Sequence, residues 1–372
     1  MRVDEGAPGM DAAEARRVLE LCNACQFCDA YCAVFPALKR RRNVTLADLA
    51  FLSNLCHSCR TCYHACQYAP PHGFDVNVPR SLSRVRHRTY QDHVWPRALT
   101  PWSRNDGRFV LCVTLLAVAF CLACGIVWVP PEILLGRHAD PGAFYRVVPW
   151  GVLAGSAGLA AGWSLLAIGG AVLSFWRSLG PLPPGVAWRP ALREALRDAA
   201  TLRNLGGGGA GCNDRDERFS RARRRFHHAM AYGVACCFAA TAVATVYDHA
   251  LGWPAPYPLL SAPVLLGTLG GVGILAGTAG LAWLKRGADP GPVAPELSGT
   301  DRALLVQLFL VAASGLALLG ARETRAMGPL LLVHLGVVLA LFATLPYGKF
   351  IHAPFRFAAL LRAALERHAT GR

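Results

Sequence analysis

The chain has 372 residues, a formal net charge of +15 at pH 7 and 14 cysteines. Hydrophobic residues make up 53% of the sequence and charged residues only 16%, with a mean hydropathy of +0.32. This composition is not that of an ordinary soluble domain, and it predicts a membrane protein with a basic part outside the bilayer. Because no RNA- or DNA-binding motif accompanies the positive charge, we expect no nucleic-acid partner and assign the charge to membrane orientation and anionic lipid.

The first 66 residues contain two cysteine runs of identical spacing, Cys-x2-Cys-x2-Cys-x3-Cys. This spacing is typical of the ligands of two [4Fe–4S] clusters, in which the fourth thiolate of each run binds the other cluster. The predicted first set is Cys22, Cys25, Cys28 and Cys66, and the predicted second set is Cys56, Cys59, Cys62 and Cys32. Zinc sites use separated two-ligand pairs, and a chain of this length needs no disulfide framework, so both alternatives fit less well.

Two segments around these runs, residues 11–21 and 46–55, have apolar residues at helical spacing. We therefore predict an all-α fold that begins with a helical, ferredoxin-like domain carrying both clusters. This iron–sulfur domain covers residues 1–109 and ends in a basic segment, from residue 74, that should lie along the membrane surface.

Six apolar runs after residue 109 are long enough to cross a bilayer, which requires about 20 residues each. They lie at about 110–129, 147–176, 228–250, 259–284, 303–320 and 328–347. The predicted organisation is a first helix pair at 110–176, a basic loop at 177–227, a haem-binding bundle at 228–352 and a tail at 353–372. The sequence thus predicts a six-helix transmembrane bundle that follows the iron–sulfur domain.

The orientation follows from the basic residues, of which 34 out of 38 fall in segments on the same side as the N-terminus. Cytoplasmic segments carry this excess of Lys and Arg. The N-terminus also shows no secretory signal. We therefore expect a bacterial inner-membrane protein with the iron–sulfur domain and both termini in the cytoplasm.

Histidines at the ends of predicted spans are candidate ligands of b-type haem, because ionisable groups in a membrane are costly and are usually functional. His227 or His228 with His352 would hold an inner haem, and His249 with His334 an outer one. Eighteen residues separate His334 from His352, which corresponds to five turns of a continuous helix. The alternative is that helix-end histidines simply rest in the interface, so the sequence leaves one or two haems open.

Three other features have two interpretations each. The basic run of residues 39–42 either docks an acidic partner or is solvated, and Trp253, Pro254 and Tyr257 either line a quinone site or form an aromatic belt. The glycine run at 206–209 is followed by no phosphate-loop motif, so we predict a flexible hinge there, beside a free thiol at Cys212.

The last predicted span resembles the final haem-binding helix of the nitrate reductase gamma-subunit family. The resemblance rests on the sequence LPYGKFIH at 345–352, with His334 upstream. In that family both histidines bind haem, and they bind two different haems. The resemblance therefore implies ligand roles for His334 and His352.

A wider resemblance covers nearly the whole chain, from about residue 19 to 357. The cysteine runs, GGGGAGCN, RRRFHH, YDHALGWPAPYPLLSAPVLLGTLGG and LPYGKFIH together resemble the tricarballylate-utilisation protein B family, also described as the CitB-domain family. The resemblance implies a membrane protein that reoxidises a cytoplasmic FAD-dependent dehydrogenase, tricarballylate dehydrogenase, and passes electrons to membrane quinone. Similar domains are fused to a flavoprotein in cobalamin-synthesis proteins, so another flavoprotein partner stays open.

We therefore predict an electron-transfer protein that uses two [4Fe–4S] clusters and b-type haem. No nucleophile–base pair or paired carboxylates suggest substrate chemistry in this chain, which leaves its status as an enzyme open. A quinol-oxidising subunit with the opposite electron flow is the main alternative. A transporter would need polar groups at mid-membrane, and a redox sensor would need an output domain.

Overall fold

The computed structural model describes residues 9–103 and 107–370, and no β-strand occurs in that part of the chain. Cys212 and Ser220 form an isolated antiparallel bridge. The cysteine-bearing domain contains the helices α1 (Met10–Cys25), α2 (Val34–Lys39), α3 (Leu46–Leu55), α4 (Thr61–His64) and α5 (Val78–Asp92). The prediction of an all-α fold is confirmed.

Local capping explains where helix α3, at the centre of this domain's core, begins. The Thr45 hydroxyl accepts a hydrogen bond from the Asp48 amide, and the Asp48 carboxylate accepts one from the Thr45 amide. This reciprocal capping box satisfies two amides that would otherwise lack a partner at the start of α3. Helices α1, α3 and α5 then bury their apolar faces against one another, with Leu19, Leu52 and Leu82 at 0% exposure.

The remaining helices are α6 (Thr100–Ser103), α7 (Arg108–Trp128), α8 (Pro131–Leu134), α9 (Ala143–Val147), α10 (Trp150–Ser178), α11 (Trp188–Thr201), α12 (Ala222–Ala250), α13 (Ala262–Arg286), α14 (Ser298–Ala321), α15 (Met327–Thr344) and α16 (His352–Thr370). Six of them, α7, α10 and α12 to α15, are long and apolar enough to cross a membrane. The six predicted apolar helices are confirmed, each within a few residues of its predicted bounds except the starts of the third and fifth.

Glycines bring α12 and α13 into close contact along their length. A Cβ atom on Gly233 would lie 2.7 Å from the Gly270 carbonyl oxygen, and one on Gly277 would lie 2.5 Å from the Met230 amide nitrogen. Small residues allow helix backbones to approach closely in a membrane, where dispersion and not the hydrophobic effect drives association. Helix α15 packs instead against α7, α10 and α14.

The last span ends earlier than the sequence suggested. Helix α15 stops at Thr344, and His352 begins a separate helix after a short 3₁₀ turn at Lys349–Ile351. Pro346 lacks an amide hydrogen, and Gly348 is extended at φ −100° and ψ −168°, so the helix cannot continue through this segment. The expectation that His334 and His352 lie five turns apart on one continuous helix is therefore wrong.

At one end of the bundle, α11, α16 and the segment between α13 and α14 pack together with the cysteine-bearing domain. Helix α16 inserts Ala359, Leu360 and Ala363 into the domain's apolar core, and it also packs on α11. Its Glu366 accepts hydrogen bonds from Arg41 and Arg362, at 3.1 and 2.9 Å. The segment between α13 and α14 joins the same unit through hydrogen bonds to α5. This assembly fixes the cysteine-bearing domain against the ends of the spans.

Candidate metal centres

The first predicted ligand set lies around one cavity. This cavity of about 160 Å³ is lined by Cys22, Cys25, Cys28 and Cys66. Its other walls are mostly apolar, and they also include Cys62 of the second set. Cys25 is exposed and the other three cysteines of the set are half-buried, so this site opens toward the surface.

The second predicted set lines a neighbouring, tighter cavity. Its walls include Cys32, Cys56, Cys59 and Cys62, together with Phe35 and Val78, which also line the first cavity. Three of these cysteines are buried. The structure thus places the fourth cysteine of each run at the cavity of the other run, as the ligand exchange between paired clusters requires.

The loop between Cys56 and Cys62 has an unusual backbone. Ser58 and Arg60 both have positive φ angles, 53° and 68°, which non-glycine residues rarely adopt. This conformation directs the Ser58 amide to the Cys56 sulfur at 3.4 Å. Uncommon backbone conformations concentrate at functional sites, and N–H···S bonds of this kind tune cluster potentials.

The donor set fits a multinuclear iron–sulfur group. Burial, followed by the neighbouring thiols, raises the pKa of Cys22 and Cys28 to about 12. The thiols therefore need a bound cation to become thiolates together. Among residues 9–103 and 107–370, no group of three or more His, Cys, Asp or Glu side chains is arranged around a single ion.

The 177–227 segment supplies contacts to the second cavity that the sequence did not predict. The backbone amide of Asn213 donates a hydrogen bond to the Cys59 carbonyl at 3.0 Å, and the Arg60 guanidinium donates one to the Asp214 carbonyl at 2.7 Å. Cys212 is fully buried and packs with Cys59. Gly207 lies directly against the Thr61 side chain. Gly206 and Gly207 are buried, whereas Gly208 and Gly209 are exposed, and the flexible hinge stays a prediction.

The inner histidines come together at the end of the bundle that carries the cysteine-bearing domain. The ring centroids of His227 and His352 are 6.4 Å apart. His352 Nδ1 lies 2.6 Å from the Lys349 carbonyl oxygen, an arrangement that fixes the tautomer and leaves Nε2 free as a ligand. Burial, Arg356 and Lys349 hold the pKa of His352 well below its usual value, so the imidazole is neutral. His227 Nδ1 and His228 Nε2 are buried without a hydrogen-bond partner.

The outer histidines are not brought together. His249 lies 3.3 Å from the Asp248 carboxylate and packs edge-on against Trp150. His334 Nδ1 lies 2.9 Å from the Ser314 hydroxyl. In the part of the chain that the structure describes, no contact joins His249 to His334. The geometry therefore favours an interfacial polar pair at residues 248 and 249.

The basic run at 39–42 is only partly available to a partner. Lys39 pairs with Asp29 at 3.0 Å, and Arg41 is mostly buried in its ion pairs with Asp48 and Glu366. Arg40 and Arg42 remain exposed. The aromatic residues at the other end of the bundle pack on one another, with Tyr247 against both Trp253 and Tyr257.

Comparisons with known proteins agree with this architecture. Residues 104–372 match the family model "Citrate utilization protein B", and residues 15–92 match the "Citrate utilization protein B Fer4-like domain". A curated Escherichia coli protein named "Citrate utilization protein B" is 46% identical over 365 residues, covering 95% of this chain and 92% of the relative. The chain belongs to the citrate utilization protein B family. No solved structure matches it significantly. The Fer4-like match supports iron–sulfur binding by the N-terminal domain.

Proposed function

We propose that this protein carries electrons from a cytoplasmic FAD-dependent dehydrogenase to the quinone pool of the bacterial inner membrane, using two [4Fe–4S] clusters and b-type haem. When bound, these groups supply one-electron transfer, which couples a two-electron flavin to a membrane quinone. The observation that carries the proposal is the continuity between the two cysteine cavities and the inner histidines.

That continuity rests on one arginine. Arg223, at the start of α12, donates to the Ser58 carbonyl at 2.5 Å and to the His57 carbonyl at 3.4 Å. His227 lies four residues, about one helical turn, further along the same helix. The loop that holds the second cysteine set is therefore tied directly to the helix end that carries an inner haem ligand.

The first cavity faces the partner in this proposal. Cys25 is exposed, and Phe27 beside it is 64% exposed. An exposed aromatic residue next to a metal centre is typical of a docking surface for a protein partner. The relative's name refers to citrate utilization, and the resemblance to the tricarballylate-utilisation family points to tricarballylate dehydrogenase as that partner.

The inner histidines fit one haem. His227 and His352 present imidazoles from two different helices, and the hydrogen bond from His352 Nδ1 orients its ring. His228 is the alternative partner of His352. A second haem at His249 and His334 stays a prediction that the observed contacts do not favour.

The test is the reaction of the reduced protein with quinone. The purified full-length protein is reduced anaerobically with dithionite and mixed in a stopped-flow instrument with soluble ubiquinone and menaquinone analogues. We expect rapid reoxidation, followed as recovery of the iron–sulfur absorbance. C59S should abolish it by removing a ligand, whereas C212S, which changes the adjacent buried thiol, should retain it. Failure of both quinones to reoxidise the wild type would contradict the proposal.

The same preparation distinguishes the proposed function from its main alternative, a quinol-oxidising subunit. Quinol analogues are added to the oxidised protein under the same conditions. Reduction by quinol, without reoxidation by quinone, would establish a quinol-oxidising subunit instead.

A further inference from the structure

Buried and half-buried arginines surround the second cysteine set. Arg86 is 4% exposed and donates to the Ser53 and Cys56 carbonyls, at 3.1 and 2.8 Å. Arg223 donates to the backbone of residues 57 and 58 from α12. These two guanidinium groups are held against the ligand loop by bonds to neutral main-chain carbonyls, which do not cancel their positive charge.

Two further arginines complete this arginine cage, which consists of Arg60, Arg86, Arg223 and Arg356. Arg60 lines the second cavity itself. Arg356 lies within electrostatic reach of Cys56, and its Nε atom is buried without a hydrogen-bond partner. The carboxylate nearest to the cage is Asp214, 3.7 Å from Arg223. Asp289 also acts on Arg60, and Asp301 acts on Arg223 but is itself paired with Lys285 and Lys349. These carboxylates do not balance four guanidinium groups, so the cage carries net positive charge.

Within the described part of the chain, the first cavity has no comparable basic residues in its lining. None of the described residues that line it is Lys or Arg. The charged neighbour that acts on Cys28 is an acid, Asp29, which itself pairs with Lys39 at the surface. The two sites therefore differ in the charge around them, although their ligands have the same spacing.

Reduction adds an electron to a thiolate-ligated cluster that is already anionic. Burial alone opposes this step, because a low-dielectric surrounding disfavours the more highly charged state. Nearby positive charge favours it, and guanidinium groups keep their charge in proteins. At the second site the four arginines act against the burial penalty, whereas at the first site no cation lines the cavity.

We propose that the arginine cage holds the cluster at Cys56, Cys59, Cys62 and Cys32 at a higher reduction potential than the cluster at the first cavity. The order of potentials then directs electrons from the exposed site to the site nearest the membrane. This inference rests on the proposed function only in that both sites hold clusters; it does not depend on quinone as the acceptor.

The test is an anaerobic redox titration of the purified full-length protein, monitored by electron paramagnetic resonance. A soluble paramagnetic relaxant identifies the exposed first cluster, whose signal it broadens more strongly. We expect the less exposed cluster to be reduced first. R356Q and R223Q should lower its midpoint potential and leave the first cluster's potential unchanged.

Two controls separate charge from structural damage. R223K retains the charge and should keep the wild-type potential. R84Q removes a charge from the same helix as Arg86, at a surface ion pair with Glu296, and should change neither potential. Equal shifts of both clusters, no shift in R356Q and R223Q, or a lower wild-type potential at the buried site would each overturn the proposal. A protein with the expected order of potentials but no reaction with quinone would contradict the proposed function alone.

Discussion

Replacing Gly277 by alanine should push α12 away from α13 at the end of the bundle that carries His227. The added Cβ would lie 2.5 Å from the Met230 amide nitrogen and 2.6 Å from the Phe226 carbonyl oxygen, both backbone atoms. Because backbone atoms cannot rotate away, the helices must separate by roughly 1 Å to reach ordinary contact distance. Overpacking of this kind costs about 1–3 kcal/mol.

Gly267, on the same helix, is the matched control. A Cβ there would meet only the Ala240 methyl group, at the ordinary distance of 3.8 Å. Alanine is favoured over glycine in a helix by about 1 kcal/mol, so G267A should be neutral or slightly stabilising. The two substitutions make the same chemical change, and their predicted effects on stability have opposite signs.

The assay is reversible unfolding of both variants in mixed detergent micelles, with the haem absorbance recorded in the same samples. We expect G277A to lose stability and to perturb the spectrum of the inner haem, because Phe226 immediately precedes His227. Equal stability of G277A and G267A would refute the close backbone contact between α12 and α13. A large loss in G277A without any spectral change would refute the link from that contact to the haem site.

Three further predictions concern the cysteine-bearing domain and the histidines. C66S should remove the more exposed cluster signal and leave the buried one, as measured by electron paramagnetic resonance; loss of the buried signal alone would contradict the ligand exchange. E366Q, which weakens a mostly buried ion pair, should cost about 1–3 kcal/mol in thermal unfolding, whereas E14Q, at an exposed pair, should cost under about 1 kcal/mol. Equal losses would show that α16 does not anchor the domain. H352A should lose the inner haem by pyridine haemochrome assay and H249A should not; the opposite result would place the haem at the outer end.

Much of the fold follows from local sequence. The six spans are long apolar runs, and such runs in a bilayer must form helices to satisfy their backbone hydrogen bonds. The two cysteine sets follow from the ligand spacing, which brings three thiolates of each run together within a few residues. Proline and glycine at 346 and 348 marked the end of α15, but the eighteen-residue spacing of His334 and His352 favoured a continuous helix.

The parts of the fold and of the site that the sequence did not predict depend on contacts between distant segments. Arg223 reaches a loop 165 residues away, and α16 packs into a core formed by residues near the N-terminus. The glycine run at 206–209 has a local pattern typical of a hinge, and only the assembled fold shows that Gly207 packs against Thr61. Such partners are set by the assembled fold and leave no periodic signal in the sequence.

Above all, we propose that this chain holds two [4Fe–4S] clusters next to a haem-binding membrane bundle. The most direct test is an anaerobic assay of non-haem iron, acid-labile sulfide and pyridine haemochrome per chain in the detergent-purified protein. We predict about eight non-haem irons and about eight sulfides, as two cubanes require, with one b haem at the inner site. Zinc in place of iron, or clusters without any haem, would contradict this cofactor assignment.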